Sequence, residues 1–261
     1  MIINNNLCTG CGKCMVYCPV EAIMETGKKT TKGKKLRAVD LDQCVECGNC
    51  LRSAVCPVDA ISQQPLEWPR SIRSAFSNPK TEHKSKDMGR GTEEMKTNEV
   101  THRFVAGEVG IAIEMGRPLL GASFRDVDRV TQAVARVGVE FEARNPLTAL
   151  LENPSRGVVK KEILNERVLS TIVEFKVQEK KLEEVLLAVK EVAGTLDTVF
   201  SLGLIRVLPP QGPDPVIERV ERLGFEVRPN GKVNLGLGRP IPNDSGLSEG
   251  IRMSRLEGRP S

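Results

Sequence analysis

Eight cysteines account for most of the chemistry that this 261-residue sequence can support, and all of them lie between residues 8 and 56. The first four follow the spacing C-x2-C-x2-C-x3-C-P, and the last four follow C-x2-C-x2-C-x5-C-P. Disulfide frameworks belong to exported chains, and residues 1–6 have neither the basic nor the apolar segment of a signal peptide. The clustered thiols therefore indicate metal binding, and we expect a cytoplasmic protein.

The spacing favours an iron–sulfur cubane over zinc. A cubane needs a thiolate on each of four irons, and two-residue gaps let one tight loop supply three of them. Gly10, Gly12 and Gly48 permit the backbone angles of such loops. Zinc modules usually place two C-x2-C pairs about fifteen residues apart, which is a different pattern. If all eight thiols are ligands, no iron is open to a substrate, so the clusters are expected to carry electrons.

The two cysteine motifs belong to a longer internal repeat, because residues 18–23 read CPVEAI and residues 56–61 read CPVDAI. Over residues 2–62 the sequence resembles the bacterial-type ferredoxins with two [4Fe–4S] clusters. The resemblance implies crossed ligation, in which the last cysteine of each motif binds the other cluster. Carried over to this chain, cluster 1 takes Cys8, Cys11, Cys14 and Cys56, and cluster 2 takes Cys44, Cys47, Cys50 and Cys18.

Two segments depart from the ferredoxin pattern. The second motif has five residues, 51–55, before its last cysteine, which enlarges the loop near cluster 1 without removing a ligand. Residues 25–40 form a long insertion that contains the run GKKTTKGKK and is predicted to be a basic hairpin. Two interpretations of this hairpin remain open: it docks an acidic partner, or its lysines are simply solvated.

Composition divides the chain into four parts: a ferredoxin domain over 1–62, an extended polar linker over 63–103, a second domain over 104–242 and a flexible tail over 243–261. The linker has little periodicity and cannot bury a core of its own. We expect its Trp68, with Phe76, either to dock onto another surface or to pack back on the ferredoxin domain. The chain's two histidines, His83 and His102, lie in or at the end of this linker and are given no role.

Strong periodicity begins after residue 104. Alternating apolar residues over 109–115 predict a strand, and apolar residues at helical spacing over 124–137 predict a helix. Ser123, with Asp126, is predicted to cap the start of this helix, and Gly138 to end it.

The same plan is repeated after a short strand at 139–141. A strand is predicted over 169–177, a helix over 182–193 and a strand over 199–208. Strand–helix–strand occurring twice predicts a split βαβ sandwich, or α/β plait, with an antiparallel sheet. The fold class of the whole chain is therefore α+β.

A third piece is predicted to complete the second domain. It consists of a short helix over 216–223 and a hairpin over 225–235, whose turn is Asn230-Gly231. This domain has no nucleotide-binding loop, no nucleophile with a base and no cysteine, so we predict no catalytic residue.

The leading functional hypothesis is an iron–sulfur electron-transfer subunit. It would pass low-potential electrons from a donor to a catalytic partner in a multisubunit oxidoreductase of an anaerobe. The segment 89–98 resembles iron–sulfur subunits of anaerobic reductases of aromatic or heteroaromatic rings, which would make such a reductase the partner. The alternative is a redox-sensing or ligand-binding regulator whose clusters are sensory or structural. An enzyme in its own right is disfavoured by the missing flavin, nucleotide and open-metal motifs.

Composition excludes two other kinds of partner. The formal net charge of +4 is too small for a nucleic-acid footprint, and aromatic residues make up only 3% of the chain, which argues against base-stacking platforms. No apolar run approaches the roughly 20 residues that span a bilayer, so no membrane insertion is expected.

Overall fold

A computed structural model of the chain describes residues 1–81, 89, 103–117, 120–207 and 214–228. The predicted turn at Asn230-Gly231 and the tail over 243–261 lie outside the described residues, as do His83, His102 and most of the segment 89–98.

The described residues contain the following strands and helices. The strands are β1 (Ile2–Ile3), β2 (Ile23–Lys29), β3 (Lys35–Val39), β4 (Ile61–Ser62), β5 (Glu108–Met115), β6 (Ala122–Ser123), β7 (Glu140–Phe141), β8 (Leu151–Asn153), β9 (Val158–Val159), β10 (Arg167–Val168), β11 (Thr171–Gln178) and β12 (Phe200–Arg206). The α-helices are α1 (Asn49–Arg52), α2 (Ser71–Ser77), α3 (Phe124–Val137), α4 (Leu182–Ala193) and α5 (Pro215–Arg222).

The cysteine-rich part is a small domain closed by its two ends. Strand β1 pairs antiparallel with β4, so residues 2–3 lie beside residues 61–62. Strands β2 and β3 form an antiparallel hairpin, as predicted for the basic insertion. A small core of Met1, Ala22, Ile23, Ile61 and several cysteines fills the space between them.

A four-stranded antiparallel sheet in the order β12-β5-β11-β7 organises the second part of the chain. Helix α3 connects β5 to β7, and helix α4 connects β11 to β12. The two helices pack against each other, and their apolar residues share one core with the inward-facing residues of β5 and β11. The opposite face of the sheet is covered in part by Phe104, whose ring lies against Gly110.

The ends of α3 follow the predicted pattern. The Ser123 hydroxyl accepts a hydrogen bond from the Asp126 N–H at 3.1 Å, which satisfies one of the free donors at a helix start. Gly138 has φ +83° at the end of the same helix, a left-handed conformation that glycine adopts without strain.

The prediction of an extended linker was wrong for residues 71–77, which form helix α2. Ile72, Ala75 and Phe76 are buried in the core of the second part, and the Phe76 ring packs edge-on against Phe124 at 5.9 Å between centroids. The burial of these three residues outweighs the local polarity of the segment. Trp68, in contrast, is 50% exposed.

Two further segments add to the predicted picture or depart from it. Residues 142–168, for which the sequence predicts no element, hold strands β8, β9 and β10 and several short 3-10 helices. Residues 225–228, predicted as the first arm of a hairpin, are not in a strand. Phe225 packs against the main core instead, with the Lys190 ammonium 5.8 Å from its ring centre.

Candidate iron–sulfur centres

Four cysteines from both motifs surround a first cavity. Three of them come from the loop over residues 8–14, and the fourth comes from the end of the second motif, close to β4. The cysteines that line this cavity are Cys8, Cys11, Cys14 and Cys56.

In a second cavity the contributions of the two cysteine motifs are reversed. Its lining takes three cysteines from the second motif and one from the first, and it also includes Met1, Ala22 and Ile23. The cysteines that line it are Cys18, Cys44, Cys47 and Cys50. The chain thus brings together the two groups of four thiols that crossed ligation requires.

Short helical segments carry the chain from the third to the fourth cysteine of each motif. In the first motif a single 3-10 turn, Met15–Tyr17, spans the gap between Cys14 and Cys18. In the second motif, helix α1 contains Cys50 and continues to Arg52, and the non-helical residues 53–55 complete the longer connection to Cys56. The insertion therefore lengthens this connection while Cys56 still lines the first cavity.

Backbone N–H groups point at the last sulfur of each motif. The Ala22 amide donates to the Cys18 Sγ at 3.1 Å, and the Ala60 amide donates to the Cys56 Sγ at 3.2 Å. These two bonds occupy equivalent places in the internal repeat. Such donors stabilise negative charge on a thiolate and tune the potential of a cluster, so the donor set fits [4Fe–4S] groups.

The thiols of the second cavity are more buried than those of the first, although Cys14 of the first is also buried and desolvation raises its pKa. Desolvation raises the pKa of Cys44 and Cys47, and it raises the pKa of Cys50 to about 12. Cys11 is exposed, and the Lys13 amide beside it lowers the pKa of its thiol. The first cavity therefore reaches solvent at Cys11, whereas the second is surrounded mainly by buried cysteines.

The loop of the second motif is held by charged groups that the sequence did not reveal as functional. Glu46 is fully buried between Cys44 and Cys47, and its carboxylate accepts from Arg70 at 2.6 Å and from the Met1 amino group at 2.5 Å. The Arg73 guanidinium donates to the carbonyl oxygen of Cys44 at 2.8 Å.

Arg73 also connects this loop to the second part of the chain. It forms a buried ion pair with Glu166, and it donates to the carbonyl oxygens of Leu41 and Asp42. Helix α2 therefore contacts both the candidate cluster loop and the α/β core. The spacing of Ile72, Ala75 and Phe76, at i, i+3 and i+4, is the signal that could have identified this helix from the sequence.

Gly10 allows a close approach that another residue would prevent. Its φ is +68°, and an added Cβ would lie 2.6 Å from the Lys35 carbonyl oxygen. We expect Gly10→Ala to lower iron retention at the first cavity, because it adds both left-handed strain of about 1–2 kcal/mol and a backbone clash. Iron content and visible absorption after anaerobic reconstitution measure the effect.

Gly33→Ala is the matched control for this prediction. Gly33 has a similar φ of +74° but nothing within 4 Å of an added Cβ. Gly33→Ala should therefore add the left-handed backbone strain without a steric clash, and its iron content should stay near that of the unchanged protein. Equal iron content in the two variants would contradict the proposed role of the Gly10 contact.

Among the residues that the structure describes, no group of three His, Cys, Asp or Glu side chains is placed to hold a single metal ion. All eight cysteines are free thiols, and they surround two cavities instead of converging on a point. The fold and the site together define an iron–sulfur protein with two cluster-binding centres.

Comparison with known proteins leads to the same class. Residues 7–60 match the 4Fe-4S dicluster domain family. A ferredoxin of Hydrogenibacillus schlegelii, "Ferredoxin 7Fe", is 38% identical over 63 residues, which cover 23% of this chain and 69% of that ferredoxin. No solved structure matches the chain. Through this N-terminal domain the chain belongs to the ferredoxin family; it carries two [4Fe–4S] clusters and transfers electrons.

No helix among the described residues combines the length and the apolar character needed to cross a bilayer.

Proposed function

We propose that this chain is the electron-transfer subunit of an oxidoreductase complex, and that it passes low-potential electrons from a donor to a separate catalytic subunit. The observation that supports the proposal best is the pair of cysteine-lined cavities. The first reaches the surface at Cys11, and the second is lined by Cys44, whose carbonyl oxygen accepts a hydrogen bond from Arg73 of helix α2. Clusters with four cysteine ligands supply one-electron carriers, whose potential the surrounding hydrogen bonds and burial adjust.

Crossed ligation is part of this proposal. Cluster 1 is assigned to Cys8, Cys11, Cys14 and Cys56, and cluster 2 to Cys44, Cys47, Cys50 and Cys18. The lining of the two cavities supports the assignment. The equivalent N–H donors at Cys18 and Cys56 support it further, because they prepare both last cysteines for the same role.

The second part of the chain is proposed to be an α/β plait that holds the complex together. Its strand order, with all neighbours antiparallel, is consistent with the split βαβ arrangement. Helix α2 joins it to the ferredoxin domain through the ion pair between Arg73 and Glu166. A partner bound to this part would therefore be held at a fixed distance from cluster 2.

The partner is proposed to be a reductase of an anaerobe that acts on aromatic or heteroaromatic rings. This finer assignment depends on the resemblance of the segment 89–98, most of which lies outside the described residues. Low potential and oxygen sensitivity follow from the same assignment.

Anaerobic purification of the tagged protein from its native host tests the proposal. We expect about eight irons per chain, reduction of both clusters by dithionite, and a cofactor-bearing catalytic subunit in stoichiometric amount. Clusters that neither dithionite nor a low-potential donor reduces would contradict electron transfer. A solitary chain with two reducible clusters would contradict only the subunit assignment.

One observation favours a second candidate, a redox-sensing regulator. Arg73 contacts both the Cys44 carbonyl and Glu166, so a change in the cluster 2 loop would reach the α/β core directly. In that case reduction should alter proteolytic protection or ligand-induced stabilisation of the second part. An electron-transfer subunit should show no such dependence on redox state.

A further inference from the structure

Positive charge is concentrated on the hairpin formed by β2 and β3. Residues 26–37 hold six Lys and Arg and no Asp or Glu. Lys35 pairs with Glu25 at 2.8 Å, but the other lysines of the hairpin are exposed and have no ion-pair partner within the described part of the chain. They are Lys28, Lys29, Lys32 and Lys34.

This hairpin packs directly against the loop of cluster 1. The Lys35 carbonyl and the Lys34 Cβ lie within 3 Å of where a Cβ on Gly10 would be. Arg37 fixes the same contact, since it donates to the Lys35 carbonyl at 2.8 Å and its Nε lies 3.1 Å from the Met15 sulfur. The lysines are therefore held beside the cysteine loop.

The loop that the hairpin touches also contains the exposed ligand position. Cys11 is exposed, whereas Cys44, Cys47 and Cys50 are buried. Lys13 is exposed two residues beyond Cys11 and has no ion-pair partner among the described residues. The place where a cluster approaches solvent is thus bordered by unpaired positive charge.

We propose that the hairpin over residues 26–37, together with Lys13, forms a docking surface for an acidic redox protein that exchanges electrons through cluster 1. The inference rests on the proposed function and names the chemistry of its donor. Like charges held together repel one another, while a cationic surface attracts an acidic partner and raises association rates by about 10–1,000-fold at low salt. Val16, which is 85% exposed on the turn after Cys14, would add apolar contact area within the charged rim.

Charge reversal tests this docking surface in the full-length holoprotein. The variant Lys32→Glu/Lys34→Glu changes two unpaired lysines in the turn of the hairpin and leaves all cysteines in place. The probe is an acidic flavodoxin: the reduced form gives the electron-transfer rate by stopped flow, and the oxidised form gives a Kd by calorimetry. We expect both the rate and the affinity to fall about tenfold at low salt, and the difference to disappear as ionic strength rises.

The matched control is Lys161→Glu/Lys180→Glu, which makes the same charge change at two exposed lysines of the second part. It should change the rate and the Kd by less than about twofold. A viologen with a single sulfonate group, whose reduced radical has no net charge to be steered, should reduce all three proteins at the same rate.

Each outcome separates the docking proposal from the function that it assumes. Equal losses of affinity in the two charge-reversed variants, or no binding by the unchanged protein, would overturn the docking surface. Failure of the viologen to reduce the unchanged protein would instead overturn electron transfer, and the calorimetric comparison would still decide the docking surface.

Discussion

Cys18→Ala should damage the cluster held by the second motif, although Cys18 belongs to the first. Cys18 lines the same cavity as Cys44, Cys47 and Cys50, so under the proposed crossed ligation its removal takes a ligand from cluster 2. Cys56→Ala should damage cluster 1 for the same reason. We expect each variant to lose up to about four of the roughly eight irons, as measured by iron analysis and by EPR of the reduced protein.

Two further variants identify which cluster is affected. Cys11→Ala serves as the reference for loss of cluster 1, because it removes a central cysteine of the first motif. Cys47→Ala serves as the reference for loss of cluster 2, because it removes a central cysteine of the second motif. Cys18→Ala should reproduce the EPR spectrum of Cys47→Ala, and the two changes combined should cost little more iron than either alone. Cys18→Ala combined with Cys11→Ala should lose both clusters. Crossed ligation would be refuted if Cys18→Ala combined with Cys47→Ala lost both clusters, and Cys18→Ala combined with Cys11→Ala cost little more iron than either change alone.

The grouping of the eight cysteines around two cavities could be predicted from the sequence, while their role as cluster ligands stays a prediction. Ligand spacing is a local property, and the repeat of CPVEAI as CPVDAI relates Cys18 to Cys56 without any three-dimensional information. The sequence also predicted the hairpin over the basic insertion and the strand–helix–strand units. These are local features as well, since alternation and helical periodicity can be recognised within short stretches of sequence. The caps at Ser123 and Gly138 then defined the bounds of α3.

Helix α2 was missed because its stability comes from distant residues. Ile72 and Phe76 are surrounded by serines, arginines and prolines, and only contact with Phe124 and its neighbours makes burying them favourable. Isolated helices of fewer than about 12–15 residues are marginal in water. Local composition therefore favoured a linker, whereas tertiary packing produced the element that connects the two parts of the chain.

The position of charged groups around the clusters also depends on this connection. Glu46 is an acidic residue inside a ligand loop, and nothing in the local sequence pairs it with Arg70, which lies 24 residues away. Once α2 is docked, Arg70 and Arg73 both reach the loop of the second motif. The two cavities thus differ in surroundings, because exposed lysines lie near the first and buried ion pairs lie near the second.

Arg73→Met should give the largest loss of stability among substitutions outside the cysteines. Arg73 is 4% exposed, and its replacement leaves Glu166 as a buried unpaired carboxylate and three carbonyl oxygens without this donor. Breaking a buried ion pair in this way costs about 3–5 kcal/mol, which corresponds to a fall in Tm of roughly 10 °C for a protein of this size. Anaerobic thermal unfolding followed by circular dichroism and by cluster absorbance measures it.

The same measurement distinguishes a connecting role from a general effect of losing an arginine. Arg136→Met changes an exposed residue in the last turn of α3 and should alter the Tm by only about 1–2 °C. In a double-mutant cycle, Glu166→Gln should cost much less in the Arg73→Met background than in the unchanged protein, because the buried charge has already lost its partner. Additive effects of the two substitutions would mean that the ion pair does not join the cluster 2 loop to the α/β core.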